Sequence, residues 1–378
     1  MGNALKAVAV DSDTMLNWPL SATHSRIAWS SALARSVRQH LPLAVAVLFY
    51  AIIAAALPIF SSLALTPKLI SASSAEIVAL LTFSVGCGAL VMRMIYIMVC
   101  VRPKLLSRYL WNDLAHRWVN PERIANLLPV LILLPIFISS FSFLKASIPF
   151  YHPFDWDPEF AKLDRALHFG VDPWRLLQPV LGYPIASAAI NAVYHLWFFV
   201  FYAVIFSLAI SVGDPVLRLR SLVSVMSVWP LLGNGAATIF SSAGPVYFTR
   251  VTGLQSPYAP LMDYLHTAAT QVPLPALRVQ EMLWDSYVNR LAAAGSGLSA
   301  MPSLHVATSF MFVLIAFSYR RWLGWLMAVF CLCILAGSVH LAWHYAIDGY
   351  AGILGAALVW SSVGWLFDRA AIRKLFAV

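Results

Sequence analysis

The sequence predicts an all-α polytopic membrane protein with about eight transmembrane helices. Three observations predict it. The 378 residues are 61% hydrophobic and only 11% charged, whereas a soluble domain carries about 25% charged residues. The mean hydropathy is +0.77. Apolar runs also recur at the length, about 20 residues, that crosses a hydrocarbon core of ~30 Å. They fall near 41–65, 76–101, 125–148, 184–212, 216–241, 302–319, 322–341 and 345–367. This composition excludes a string of soluble domains. Cys87, Cys100, Cys331 and Cys333 all lie inside apolar runs, so they read as packing residues and not as a disulfide framework.

The elements follow in chain order. Residues 1–40 read as a cytoplasmic segment, without the basic start, apolar core and cleavage site of a secretory signal. Residues 41–124 hold two spans and a basic loop. Residues 125–367 hold a six-helix core with two long loops, 149–183 and 242–301, and 368–378 form a tail. In the first long loop, Asp157-Pro158 and Asp172-Pro173 are helix starts, a capping acid followed by proline at the first helical position. Gly170 can end the first of these helices. Phe160, Leu163 and Leu167 share a face at helical spacing, which predicts short amphipathic helices lying along the interface. The second long loop is rich in proline and aromatic residues. It reads either as a substrate-binding lid or as a packing plug between helices.

A net charge of +9 raises the question of nucleic acid. The distribution of the charge points to a membrane instead. Sixteen Lys and Arg fall on one side of the predicted spans, including Arg26, Arg35, Arg102, Arg117, Arg218, Arg320 and Arg369. Eight fall on the other, including Lys68, Lys145, Arg250 and Arg290. By the positive-inside rule both termini are cytoplasmic, and an even number of spans agrees. The expected partner is therefore the bilayer and not nucleic acid. Without a recognisable retention signal, the expected location is a bacterial inner (plasma) membrane.

Ionisable residues inside spans are costly and default to functional candidates. Two clusters stand out, both on the extracytoplasmic side. The first is Ser299-Ala300-Met301-Pro302-Ser303-Leu304-His305. Pro302 suits a first helical turn, whose free N–H groups and dipole make an anion site. Ser303 adds a hydroxyl donor, and His305 is placed to give a proton to a phosphate or leaving-group oxygen. Alone, this pattern also fits a polar helix start with a satisfied histidine. The second cluster is GSVHLAWHYAID, residues 337–348. If it is mostly helical, His340, His344 and Asp348 share a face. A carboxylate on one ring nitrogen of His344 leaves the other unprotonated and nucleophilic. Alone, the cluster also fits a metal or haem pair, or a polar helix interface. The hairpin between the clusters starts and ends outside, so it brings His305 and His344 to one membrane face. Together they imply phosphoryl transfer through a phosphohistidine.

SAMPSLHVATS and HLAWHYAIDGYAG resemble the second and third motifs of the type-2 phosphatidate phosphatase superfamily. Within it they look most like the inositol phosphorylceramide synthase and sphingomyelin synthase branch, which writes them Pro-Ser-Leu-His or Ser-Gly-His and His-Tyr-x-x-Asp. FSSAGPVYF at 240–248 stands where the first motif belongs, and YHLWF at 194–198 and FDWDPEFAKLDRALHFGVDPW also resemble that branch. The resemblance covers roughly 125–367. It implies His344 as nucleophile, Asp348 as its orienter, His305 as general acid and base, and Ser303 as a phosphoryl contact. It departs from the pattern in two places. Ser338 stands six residues before the nucleophile, where the phosphatases carry arginine, and the first-motif region shows no clear Lys or Arg-Pro. His340, Arg250, Arg290 or backbone N–H groups are then the candidates to neutralise the phosphate. Tyr247 and His195 are further candidates for the substrate pocket, and His195 also fits a histidine hydrogen-bonded between helices.

The leading expectation is a lipid phosphotransferase that needs no metal or other cofactor. Its substrate is a phospholipid or lipid phosphate. Its acceptor is a lipid alcohol, a ceramide-like lipid or diacylglycerol. The alternative within the family is a lipid phosphate phosphatase with water as acceptor. The alternative outside it is a transporter or electron carrier whose histidines, His195, His305, His340 and His344, bind metal or haem.

Overall fold

The computed structural model describes residues 26–60, 66–291 and 297–369. It is helical throughout, with no strand among the described residues. Among the described residues seven helices are long and apolar enough to cross a membrane. They are α1 (Arg26–Phe60), α2 (Ala72–Tyr96), α4 (Pro121–Tyr151), α7 (Pro184–Ala209), α8 (Pro215–Val228), α13 (Arg321–His340) and α14 (Ala346–Phe367). α2 runs on through a π turn to Val101, and α8 through a π segment to Ile239. An eighth apolar helix, α12 (Leu304–Tyr319), is shorter. At 1.5 Å per residue it is ~24 Å long. The protein is a polytopic membrane protein of about eight helices.

Local chemistry sets where these helices begin. Asn120 accepts the N–H groups of Glu122 and Arg123, and Pro121 follows it at the first position of α4. Asp214 does the same for Val216 and Leu217 ahead of α8, again with proline next. Each cap satisfies N–H groups that the helix itself leaves open. Arg93, near the end of α2, is paired with Asp113 of α3 (Leu106–Asp113) at 2.8 Å.

Two expectations change here. α1 starts at Arg26, well before the predicted span at 41. Its first turns are held by the beginning of α4, where Arg35 pairs with Glu122 and the Ser36 hydroxyl donates to the Ala125 carbonyl. Tertiary packing therefore extends the helix beyond its apolar part. The second concerns the start of the helix over 157–167, whose leucines are exposed as an interfacial amphipathic helix leaves them. In α5 (Asp157–Leu167) Phe160 is buried, and Leu163 and Leu167 are 48% and 56% exposed. Asp157 and Asp164 occupy the inner face, for a reason given below. Asp157 is the first residue of α5 rather than its N-cap, which is Trp156. Asp172 does stand as N-cap of α6 (Pro173–Leu181), though its side chain caps no N–H there. Gly170 follows the end of α5 with φ +81°.

Among its described residues the segment 242–301 holds three α-helices, α9 (Phe248–Thr252), α10 (Ala259–Ala269) and α11 (Pro275–Val288). They dock on the ends of the spans. Gln280 of α11 donates to the Leu341 carbonyl, and the Ala276 N–H donates to Asn191 of α7.

α12 and α14 approach closely at Gly352. A β-carbon there would lie 2.7 Å from the Ser303 carbonyl oxygen and 3.4 Å from the Ala307 methyl. Gly352→Val should therefore lower stability by about 1–3 kcal/mol through overpacking, read as a lower thermal midpoint in detergent. Gly88→Ala, at a position with nothing within 4 Å, should leave the midpoint nearly unchanged.

Candidate active site

Residues 340–348 do not form one continuous helix. α13 ends at His340, a turn follows, and α14 begins at Ala346. Ala342 takes a left-handed φ of 59°, and the N–H groups of Trp343 and His344 both donate to the Ser338 carbonyl. The expectation that His340, His344 and Asp348 share a helix face is thereby corrected. The turn sends His340 elsewhere, where its Nε2 lies 2.9 Å from the Ser187 hydroxyl and its ring near Tyr264. His344 and Asp348 stay together. His344 Nδ1 is 3.2 Å from Asp348 Oδ2, and the same oxygen accepts the Tyr345 N–H at 3.0 Å. A histidine that donates Nδ1–H to a carboxylate carries its lone pair on Nε2. Burial and the positive charge of Lys145 push the His344 imidazole down to about 3, against a smaller upward pull from the Ala300 backbone. Its resting form is therefore neutral.

The segment 299–305 comes alongside. α12 starts at Leu304, so Pro302 lies just outside the helix and Ser303 is its N-cap. The Ser303 side chain makes no capping bond, and its N–H donates instead to the Asp348 carbonyl. The ring of His305 stacks against Tyr194 with centroids 4.8 Å apart. It also touches Trp197 at 4.3 Å and the edge of Phe198 at 5.8 Å. His344, Lys145 and His195 are its charged or titratable neighbours. Among the described residues, Ser299 Oγ, Ser303 Oγ, His305 Nε2, Trp343 Nε1 and Asp348 Oδ1 are buried without a hydrogen-bond partner. Four of the five belong to groups able to donate to an anion.

The loop 241–247 locks both segments. Ser242 accepts the Ala300 N–H through its carbonyl and the Met301 N–H through its hydroxyl. Val246 N–H donates to the Ala342 carbonyl. Gly244 has φ +99°, and a β-carbon there would stand 2.6 Å from the Trp343 carbonyl oxygen, so only glycine fits this crossing. The two acids of α5 complete the frame. Asp157 accepts the N–H groups of Ala243 and Gly244 and the hydroxyl of Tyr345, each at 2.8 Å. Asp164 accepts the N–H groups of Ala346 and Ile347, each at 3.1 Å. Burial raises both carboxyls above the usual carboxylate range, and these donors pull them back.

The other candidates lie around this centre with partners of their own. The Tyr247 hydroxyl donates to the Gln280 carbonyl. Arg250 grips Glu281 through both terminal nitrogens and lies over Trp284. Arg290 lies over Phe150. His195 donates Nδ1–H to the Asn191 carbonyl. Among the described residues no three His, Cys, Asp or Glu side chains are grouped to hold a metal ion.

Lys145 is the residue that sequence reasoning missed. It sits near the end of α4, with its ammonium 3.5 Å from the Ser299 carbonyl and no paired carboxylate among the described residues. The sequence reading counted it with the loop charges. The available signal was a lone lysine inside an apolar helix.

The fold and site together define a polytopic membrane protein with a histidine–aspartate pair beside a second histidine. The sequence model of the PAP2 superfamily matches residues 158–362, more than half of the chain, and the protein belongs to that superfamily, the type-2 phosphatidate phosphatases. It is thus a membrane enzyme of the phosphatase and phosphotransferase kind. No curated protein and no solved structure matches the chain. α4, with Lys145, lies outside the matched segment.

A lowered histidine pKa means that protonation, and loss of the lone pair, requires a pH far below the ordinary value of about 6.5. His344 should therefore keep its reactivity toward diethylpyrocarbonate when the pH falls from 7 to 5. Lys145→Met removes one of the two downward influences and should move the loss of reactivity to higher pH. Mass spectrometry of the modified peptide reads both.

Proposed function

We propose that the protein is a lipid phosphotransferase that works at the extracytoplasmic face of a bacterial inner membrane through a phosphohistidine on His344. It moves a phospho-headgroup, inositol-phosphate-like, from a phospholipid to the hydroxyl of a ceramide-like lipid or diacylglycerol. The observation that carries this reading is the pair His344–Asp348 next to His305, whose Nε2 has no other partner. The extracytoplasmic orientation rests on the Lys and Arg asymmetry of the loops.

The chemistry runs in two balanced steps. His344 Nε2 attacks phosphorus, a P–N bond forms, and the P–O bond to diacylglycerol breaks. His305 gives a proton to the leaving alkoxide. In the second step neutral His305 takes the proton of the acceptor hydroxyl, whose oxygen attacks phosphorus. The P–N bond then breaks and His344 is restored. Asp348 holds the imidazole in the reactive tautomer and stabilises the positive ring that forms. Lys145 stands where it can offset charge on the phosphoryl oxygens, supported by the hydroxyls of Ser303 and Ser299.

The branch with lipid acceptors is favoured by two features. Ser338 stands in place of the phosphatase arginine. The wall of His305 is aromatic, and one member of it, Phe198, is 45% exposed on the membrane-facing surface of α7. A group reaching His305 past Phe198 comes from lipid rather than from water.

The test uses protein reconstituted with labelled phospholipids and lipid phosphates, with and without lipid alcohols. Label should appear on the lipid alcohol. Release of free phosphate in its place would move the assignment to the phosphatase alternative. His344→Ala should lose turnover by about 10³-fold or more and Asp348→Asn by about 10²–10⁴-fold. Full turnover in His344→Ala sinks the reading. Lys145→Met should lower kcat by about 10²–10³-fold, the cost of losing one preorganised charge on a developing anion.

A further inference from the structure

We infer that Asp164 and Asp157 are positioning residues of this site, and that α5 is the strap that holds His344, Asp348 and His305 in register. The inference rests on the phosphohistidine reading given above. Neither acid is placed to touch substrate. Both are fully buried, and each oxygen of each carboxylate already accepts at least one hydrogen bond. Neither caps its own helix. Their seven-residue spacing puts them on one face of α5, two turns apart, and that face meets the two halves of the site.

Asp164 holds the first two amides of α14. The next residue of α14 is Asp348. The amide before them, that of Tyr345, is held by Asp348 itself. Three successive N–H groups at 345, 346 and 347 thus end on carboxylates. Any slip of this turn would carry Asp348 Oδ2 away from His344 Nδ1. Asp157 acts on the same turn through the Tyr345 hydroxyl. Its other bonds fix Ala243 and Gly244, in the loop that carries Ala300 and Met301 through Ser242. Through that loop the strap reaches the segment ahead of His305. A purely stabilising carboxylate would need only one of these sets of partners. Asp157 spans both.

The test measures kcat, KM, thermal midpoint and the rate of diethylpyrocarbonate labelling of His344 in the full-length reconstituted protein. Asp164→Asn keeps one acceptor of two, and should lower kcat by about 10²-fold, the cost of misplacing a reacting group by ~1 Å, with KM unchanged. Tyr345→Phe cuts only Asp157's hold on the turn and should lower kcat less. The double variant should lose less than the product of the two, because both act on one turn. Glu159→Gln, on the exposed side of α5, should match the wild type. His344 labelling should change in Asp164→Asn without any substrate present. Wild-type kcat and labelling in a folded Asp164→Asn, beside an inactive His344→Ala, overturn the inference alone. Full activity in His344→Ala overturns the phosphohistidine reading beneath it. If Asp164→Asn does not fold, Tyr345→Phe decides, and wild-type kcat in it overturns the inference.

Discussion

The first turn of a buried helix is the constraint on which this structure depends. Its N–H groups have no partner within the helix, and away from water each one left open is costly. In α14 those amides sit beside the residues of interest, so whatever satisfies them also fixes the site. Asp164 from α5 and Asp348 from α14 itself do so, and Asp157 of α5 holds the Tyr345 hydroxyl beside them. Carboxylates are well matched to the positive end of the helix dipole. The same two-turn segment of α5 reaches the loop at 243–244. The loops at this end of the bundle are therefore stitched by charge-assisted hydrogen bonds to backbone as well as by apolar packing.

A further consequence is electrostatic. Three acids, Asp157, Asp164 and Asp348, lie within reach of one another. They face a neutral histidine on one side and, beyond it, a lysine. In the proposed mechanism a phosphodiester carries negative charge toward Lys145 and the α12 start, while the positive charge created on His344 by attack falls beside Asp348. That mechanism separates the two charges that phosphoryl transfer generates, with preorganised groups on each side.

The sequence revealed much of this because the periodic and local signals were strong. The spans are long and apolar, and MPSLH and HYAID each stand at the start of one, separated by a single hairpin. What escaped it depended on partners far along the chain. The inward position of Asp164 depends on the amides of Ala346 and Ile347, far along the chain. His340 has the spacing of a partner for His344, but a left-handed residue at 342 breaks the helix, a feature that alanine does not advertise. α1 begins early and is held there by Arg35 and Ser36 on Glu122 and Ala125, partners nearly ninety residues further on that its own charged and polar residues do not signal. Lys145 looked like one of several charges near a span end.

In the proposed mechanism Lys145 takes the part of the arginine that Ser338 replaces. Ser338 is fully buried, and its carbonyl carries the Trp343 and His344 amides that form the turn. Its neighbour Gly337 packs against Ile190 and Tyr194 of α7. A long cationic side chain at 338 would have to pass through this packing. Supplying positive charge from α4 leaves the turn compact and brings the ammonium in from the side of Ser299. Lys145 and His344 then lie on different parts of the chain, one outside the segment that matches the superfamily and one within it. Their relative position depends on how α4 packs against the remaining helices. In the proposed mechanism the charge that meets the phosphate can therefore be adjusted without disturbing the His344–Asp348 turn, which gives a physical route by which one nucleophile serves different phosphorylated headgroups.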